Sequence, residues 1–240
     1  MRNPPPSITE TLSRLATSTP SSPSSPAPLR IHFPEKTVTL PGQHLSRQTT
    51  APAPSFSVST AALSENLTLP NCDLSPTTSA TSASSGKDDD EDDAYDETNP
   101  LSIPRFLVAA LDLDLPVTSF PVLSPVLHSM QADLELSPPK DKDWDSAEYI
   151  PLVHDKRLRG DENVAGYVGP SPPPFGRPHR YMFVMWQQPA GVNAERIREE
   201  FGFNDDGSIG VMDRVRWDQD AFEKKLGLGK VVAANYFVCG

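Results

Sequence analysis

The stretch Tyr167 to Gln188, YVGPSPPPFGRPHRYMFVMWQQ, sets a stiff loop directly against the most apolar segment of the chain. Five prolines and two glycines fall between Gly169 and Pro178. Proline has no backbone N–H to give, so this loop cannot join a sheet ladder. His179, Arg180 and Tyr181 follow at once, and Tyr181 to Trp186 reads as a buried strand. Side chains alternate along a strand, so His179 and Tyr181 share one face and Arg180 takes the other. An imidazole beside a phenol can donate two hydrogen bonds to one oxyanion, whereas an arginine on the reverse face suits an internal ion pair.

Working outward, Phe106 to Leu111 is a second continuous apolar run and leads into Asp112-Leu113-Asp114-Leu115-Pro116. Leu29 to Phe33 alternates apolar and polar residues, Thr37 to Leu40 precedes a turn at Pro41-Gly42, and Ser55 to Val58, His128 to Leu136 and Val231 to Val238 complete the expected strands. Two late helices are predicted. In Asn193 to Phe203, Ile197 and Phe201 stand four apart with Gly202 as a stop; the second has Asp218 as N-cap, Phe222 and Leu226 on one face, and Gly227 behind it. Mostly strands with two late helices predicts a mainly β fold, an antiparallel-rich core with peripheral helices.

The 240 residues suit one decorated domain. Residues 1–28 hold seven prolines and are expected to be disordered, with a marginal helix near Ile8 to Ala16 allowed by the capping-box spacing of Ser7 and Glu10. Residues 29–240 form the expected domain, interrupted at about 71–100 by a disordered insert rich in Ser, Thr and Asp. The net charge of -11 includes eight carboxylates between Asp88 and Glu97, which leaves -3 for the rest of the chain. A near-neutral body with one acidic run argues against nucleic acid as a partner, since phosphate binding needs clustered Lys and Arg. No apolar run is long enough for a transmembrane helix, no signal-peptide stretch opens the chain, and Cys72 and Cys239 are placed as free thiols, so a cytoplasmic location is expected.

The block GPSPPPFGRPHRYMFVMWQQ, with DLDLP at Asp112 to Pro116 and FEKKLGLGKVVAANYF at Phe222 to Phe237, resembles the phosphatidylethanolamine-binding protein family, also known as the Raf kinase inhibitor and carboxypeptidase Y inhibitor family. The resemblance spans about residues 29–240 apart from the insert. It implies a large antiparallel sheet packed on a smaller one, with a small anion-binding pocket lined by Asp112, His128, His179 and Tyr181. The sixteen residues from Asp112 to His128 fit the family spacing. Leu113 and Leu115 replace the family's Pro and Ala, and Ser129 stands where a Trp is common, which implies an altered pocket rim. The pattern DLDxP followed by SFPVLSPVLH is similar to fungal members associated with secondary-metabolite biosynthesis, some of which couple maleic-anhydride units into maleidride rings.

Two functions follow from the resemblance. As a dimerizing cyclase, the chain would bind a carboxylate or anhydride; His179 and Tyr181 would steady an enolate oxygen while His128, paired with Asp112, moves a proton. As a binding module, the same pocket would hold a phosphorylated or lipid head group and the chain would regulate a protease or kinase. A partner biosynthetic protein fits the first reading. Without the motifs, His179 and Tyr181 read equally as a polar strand start, His128 as an ordinary strand histidine, and Asp112 and Asp114 as loop caps. Asp114 is expected to pair with Arg180 as a structural element. The histidines lack local ligand spacing such as H-x-x-x-H, so no metal and no cofactor is expected.

Overall fold

The two apolar runs become neighbouring central strands because a strand buried on both faces needs no polar side. The computed structural model describes residues 6–17, 26–67, 104–120, 122–137, 147–154, 163–174 and 176–240. The strands are β1 (Leu29–His32), β2 (Thr37–Val38), β3 (Gln43–Leu45), β4 (Ser55–Ser59), β5 (Arg105–Asp112), β6 (Val126–Leu136), β7 (Tyr149–His154), β8 (Asn163–Ala165), β9 (His179–Gln187) and β10 (Val231–Cys239). The helices are α1 (Pro6–Thr17), α2 (Thr60–Asn66), α3 (Ala194–Phe201), α4 (Val211–Arg214) and α5 (Gln219–Leu226). Strand order is β2-β1-β4-β7-β6-β5-β9-β10-β3, with β8 on β6. Every pairing is antiparallel except β10 with β3.

This ladder curls into two layers. Phe56 of β4 meets Phe183 of β9 with ring centroids 5.7 Å apart, and Phe33, just after β1, meets Phe237 of β10 at 5.6 Å. The expected larger and smaller layers are therefore parts of one continuous ten-stranded sheet. Alternation sorts the central residues: Phe106, Val108, Ala110, Tyr181, Phe183 and Met185 fill the space between the layers. Leu107, Ala109, Leu111, Met182, Val184 and Trp186 face the opposite side, where Ile197 of α3 and Phe222 and Leu226 of α5 cover them.

Both late helices form where they are predicted. Asn193 Oδ1 accepts from the Arg196 N–H at 2.8 Å, and Asp218 Oδ1 accepts from the Ala221 N–H at 3.1 Å. Gly202 and Gly227 end the helices at φ 68° and 65°, left-handed values that glycine adopts without a Cβ penalty. The sequence reading lacks β3, β7 and β8. Two of these are only three residues long, and β7 contains Pro151 in its middle, although Ile150 and Leu152 alternate inward with exposed neighbours.

The expectation for residues 1–28 needs correction. Pro6–Thr17 is helical; Ile8 and Thr11 are buried, and Ile8 packs in the helix-side core. The Ser7 hydroxyl donates to Glu223 Oε1 at 2.8 Å, so it serves a contact with α5 and not the capping box its spacing invites. A helix too short to hold alone is ordered by burying its apolar face. Order also begins before Leu29, since Ala27 is buried and its N–H reaches Thr39 O at 2.8 Å. Residues 1–5 and 18–25, and the acidic insert at 71–100, lie outside the described residues.

Candidate functional site

Strand register brings the chemistry together at one end of the interlayer face. Asp112, the last residue of β5, stands opposite Tyr181 of β9, and His179, the first residue of β9, stands opposite Cys239 of β10. Directly opposed residues project to the same face, so these four side chains share one side of the sheet. His128 of β6 joins them, its ring edge-on to Tyr181 at a centroid distance of 5.1 Å. The His179 ring stacks toward Tyr181 at 6.4 Å.

The most buried ion pair is His179 Nδ1 to Asp112 Oδ2, 2.9 Å long, with side chains 0% and 2% exposed. Asp112 Oδ1 accepts from the Asp114 N–H at 2.8 Å. His179 Nε2 is buried and has no hydrogen-bond partner among the described residues. Asp112 therefore orients His179, not His128 as the sequence reading expects. Register is the reason: irregular pairing between Ala110 and Leu111 sets Asp112 opposite Val126, two residues short of His128, and its carboxylate turns to the β9 side.

His128 is held by a different partner. Its Nδ1 lies 2.6 Å from Val168 O, and the Val168 N–H donates to His128 O at 2.8 Å. Beneath it, the buried Arg214 of α4 donates to Leu127 O, His128 O and Gly166 O at 3.1, 3.2 and 2.9 Å. Burial lowers the His128 pKa; the Val168 carbonyl and Asp112 oppose that, and Arg214 and His179 add to it. Tyr181 is driven the other way, upward by burial and by the Asp112 charge, so its hydroxyl keeps its proton. Burial also raises the Cys239 thiol, whose Sγ lies 3.9 Å from Thr50 Oγ1.

Geometry dictates what these groups can do. With Nδ1–H donated to Asp112, neutral His179 presents an Nε2 lone pair and acts as a base; once protonated it becomes a donor beside a carboxylate that stabilises the imidazolium. Tyr181 can donate throughout. Arg180 stands apart from this chemistry: its Nε and Nη2 donate to Asp114 Oδ2 and Oδ1, each at 2.8 Å, and its main-chain N–H also reaches Asp114 Oδ2 at 2.8 Å. Asp114 is fully buried in this bidentate grip.

The altered rim residues take different places. Leu113 is buried in the core on the helix side, across the sheet from Tyr181, and Ser129 is buried in β6. Leu113 therefore does not line the pocket rim, which corrects that expectation. Sequence reasoning missed Arg47, Val168 and Arg214, and it noted Cys239 only as a free thiol. For Cys239 the available signal was the strand pattern of β10, which places it two residues beyond Phe237. Arg47, Val168 and Arg214 carry no local motif. Among the described residues no cluster of three or more His, Cys, Asp or Glu could hold a metal, and no helix is long and apolar enough to cross a membrane.

The sequence pattern of the phosphatidylethanolamine-binding protein family matches residues 59–237. The chain belongs to that family. The motif resemblance and the fold agree with this membership. Carboxypeptidase Y inhibitor of Saccharomyces cerevisiae is 25% identical over 140 residues, covering 55% of this chain and 58% of the relative. Phomoidride biosynthesis cluster protein N of Talaromyces stipitatus is 30% identical over 136 residues, covering 56% and 58%. The chain thus matches less than two thirds of each relative's length. Among solved structures, carboxypeptidase Y inhibitor complexed with its cognate proteinase superposes with a TM-score of 0.54 at 20% identity, over 88% of this chain and 81% of that one. The family protein from Plasmodium vivax gives 0.51 at 15% identity, over 98% and 97%. Both share the fold.

Proposed function

We propose that this family member binds a carboxylate or cyclic anhydride at the cluster of Asp112, His128, His179 and Tyr181 and promotes proton transfer and carbon-carbon coupling, as a dimerizing cyclase in a cytoplasmic secondary-metabolite pathway. The observation that carries the reading is the buried His179–Asp112 pair with His179 Nε2 unpartnered. A buried ring nitrogen without a hydrogen bond costs stability, and such a cost is found where a ligand supplies the partner. In this scheme His179 Nε2 removes a proton from the carbon beside a carbonyl, the imidazolium pairs with Asp112, and the Tyr181 hydroxyl donates to the enolate oxygen. The carbanion then adds to an electron-poor C=C of a second unit, whose π bond breaks as the new C–C bond forms, and the anion left on that unit takes its proton from the His179 imidazolium. His128, its pKa lowered, stays neutral as a second proton acceptor. The relative from a phomoidride biosynthesis cluster supports a role in secondary-metabolite biosynthesis.

A second reading, a non-catalytic module that holds an anion or phospholipid head group and regulates a protease or kinase, is favoured by the relative named carboxypeptidase Y inhibitor. One experiment separates them. The purified chain is incubated with cyclic anhydrides and their open diacids, products are followed by mass spectrometry, and inhibition of carboxypeptidase Y is assayed in parallel. Coupled product that disappears in His179→Gln supports the cyclase. Protease inhibition with no product rejects it.

A further inference from the structure

We infer that Arg47 is the residue that selects a ligand with two acidic groups, its guanidinium holding one carboxylate while the other end of the ligand meets His179 and Tyr181. This rests on the proposed anion site and names its substrate class, a dicarboxylate or the opened form of a cyclic anhydride.

Arg47 reaches the site through the sheet edge. Leu45 of β3 stands opposite Cys239 of β10, and Cys239 stands opposite His179 of β9, which makes one row across three strands. Neighbouring strands lie about 5 Å apart, so Leu45 is roughly 10 Å from the His179 backbone, and Arg47 follows two residues on. The turn that carries Arg47 is fixed against the site. Thr50 Oγ1 accepts no freedom there: it donates to Ser46 O and Arg47 O at 3.0 and 3.3 Å and touches Cys239 Sγ at 3.9 Å, while the Tyr167 hydroxyl donates to Thr50 O at 2.7 Å. Gly169 approaches so closely that a Cβ there would sit 3.3 Å from Ala51 Cα, which locks the proline loop onto this turn.

Arg47 is an exposed residue whose guanidinium donates from Nη2 to Pro172 O in the proline loop. Among the described residues no carboxylate pairs with it. Its charge is felt at the site, drawing down the pKa of both Tyr181 and Cys239 against the larger effect of burial. A guanidinium has five N–H donors in a planar fork, and one bond to a main-chain carbonyl leaves a face that matches a carboxylate. Arg214, the cation beneath His128, cannot serve, because three carbonyls occupy it. The second carboxylate would meet His179 from its Nε2 side, with the imidazole ring between it and Asp112, which is bonded to Nδ1.

The test compares butyrate with succinate, four carbons each and differing in one carboxylate, by calorimetry and by NMR of the histidine ring resonances, for the wild type, Arg47→Gln and Arg47→Lys. Succinate is expected to bind wild type roughly tenfold more tightly than butyrate, with the His179 resonances moving for both, and the advantage shrinking at high salt. Arg47→Gln should bring succinate to the butyrate level and change butyrate less than about threefold, and Arg47→Lys should keep part of the advantage. A succinate advantage that survives Arg47→Gln, or an equal loss for both acids, overturns the assignment while leaving the anion site standing. If neither acid binds wild type or moves the His179 resonances, the anion site itself is rejected, and the role of Arg47 with it.

Discussion

Asp112→Asn separates the two jobs of the buried pair. An amide in place of the carboxylate can donate to His179 Nδ1, which leaves the proton on Nε2, so the ring loses its base but gains a donor. Proton transfer is expected to fall about 10²- to 10⁴-fold while anion affinity holds or rises slightly. His179→Gln should cost both; parallel calorimetry and turnover measurements decide, and loss of binding in Asp112→Asn alone would show that the pair is not arranged as described. Arg180→Ala follows a different logic, because it leaves the fully buried Asp114 uncompensated. The expected cost is about 2–3 kcal/mol, below that of a fully buried pair since Arg180 is half exposed, read in denaturant unfolding with ligand affinity little changed. His128 adds a pH dependence. Its folded pKa lies below the ordinary 6.5, so in that window the unfolded chain binds more protons, and stability falls as the pH drops from 6.5 toward the folded value. The denaturant midpoint of His128→Gln should therefore change less than that of wild type between pH 6.5 and about 5. His32, also lowered by burial, has the same sign and leaves a residual slope. An identical slope in variant and wild type would remove His128 as its source.

At the scale of elements, α1 shows how a marginal helix acquires a structural role. Ile8 has no exposed surface and lies among residues of the sheet's helix side, including Leu107 and Phe222. Ile8→Ala is expected to destabilise the chain by about 2–4 kcal/mol, measured by denaturant midpoint at constant slope. A cost under about 0.5 kcal/mol, the range of a surface substitution, would show that the helix is not docked. The stop of α3 and both ends of α5 were legible in advance because Gly202, Asp218 and Gly227 act within a few residues of the ends they mark, whereas the Asn193 cap was not read. The docking of α1 was not, since its partners are as distant in sequence as Glu223. The same distinction explains β7: Ile150 and Leu152 alternate, but only pairing with β4 and β6 gives a strand containing Pro151 a place in the ladder.

For the whole molecule, the acidic insert is proposed as a spacer, so replacing residues 71–100 with a short Gly/Ser linker should leave the melting temperature within about 3 °C of wild type. A larger fall would mean that the segment contributes to the fold. The sequence by itself determined the mainly β class, the central strands and the late helices, because apolar periodicity and capping are local properties of the chain. It also placed His128, His179, Tyr181 and Asp112 as pocket candidates, since the motifs carrying them are contiguous and their spacing is fixed. Which histidine the carboxylate holds was decided only in three dimensions: the irregular β5–β6 pairing sets Asp112 against Val126, and hydrogen bonding follows that register. The nearness of Arg47, Arg214 and Cys239 was likewise a tertiary outcome. Each arrives from a separate segment through strand pairing or a long-range main-chain contact, and no local spacing encodes such a meeting.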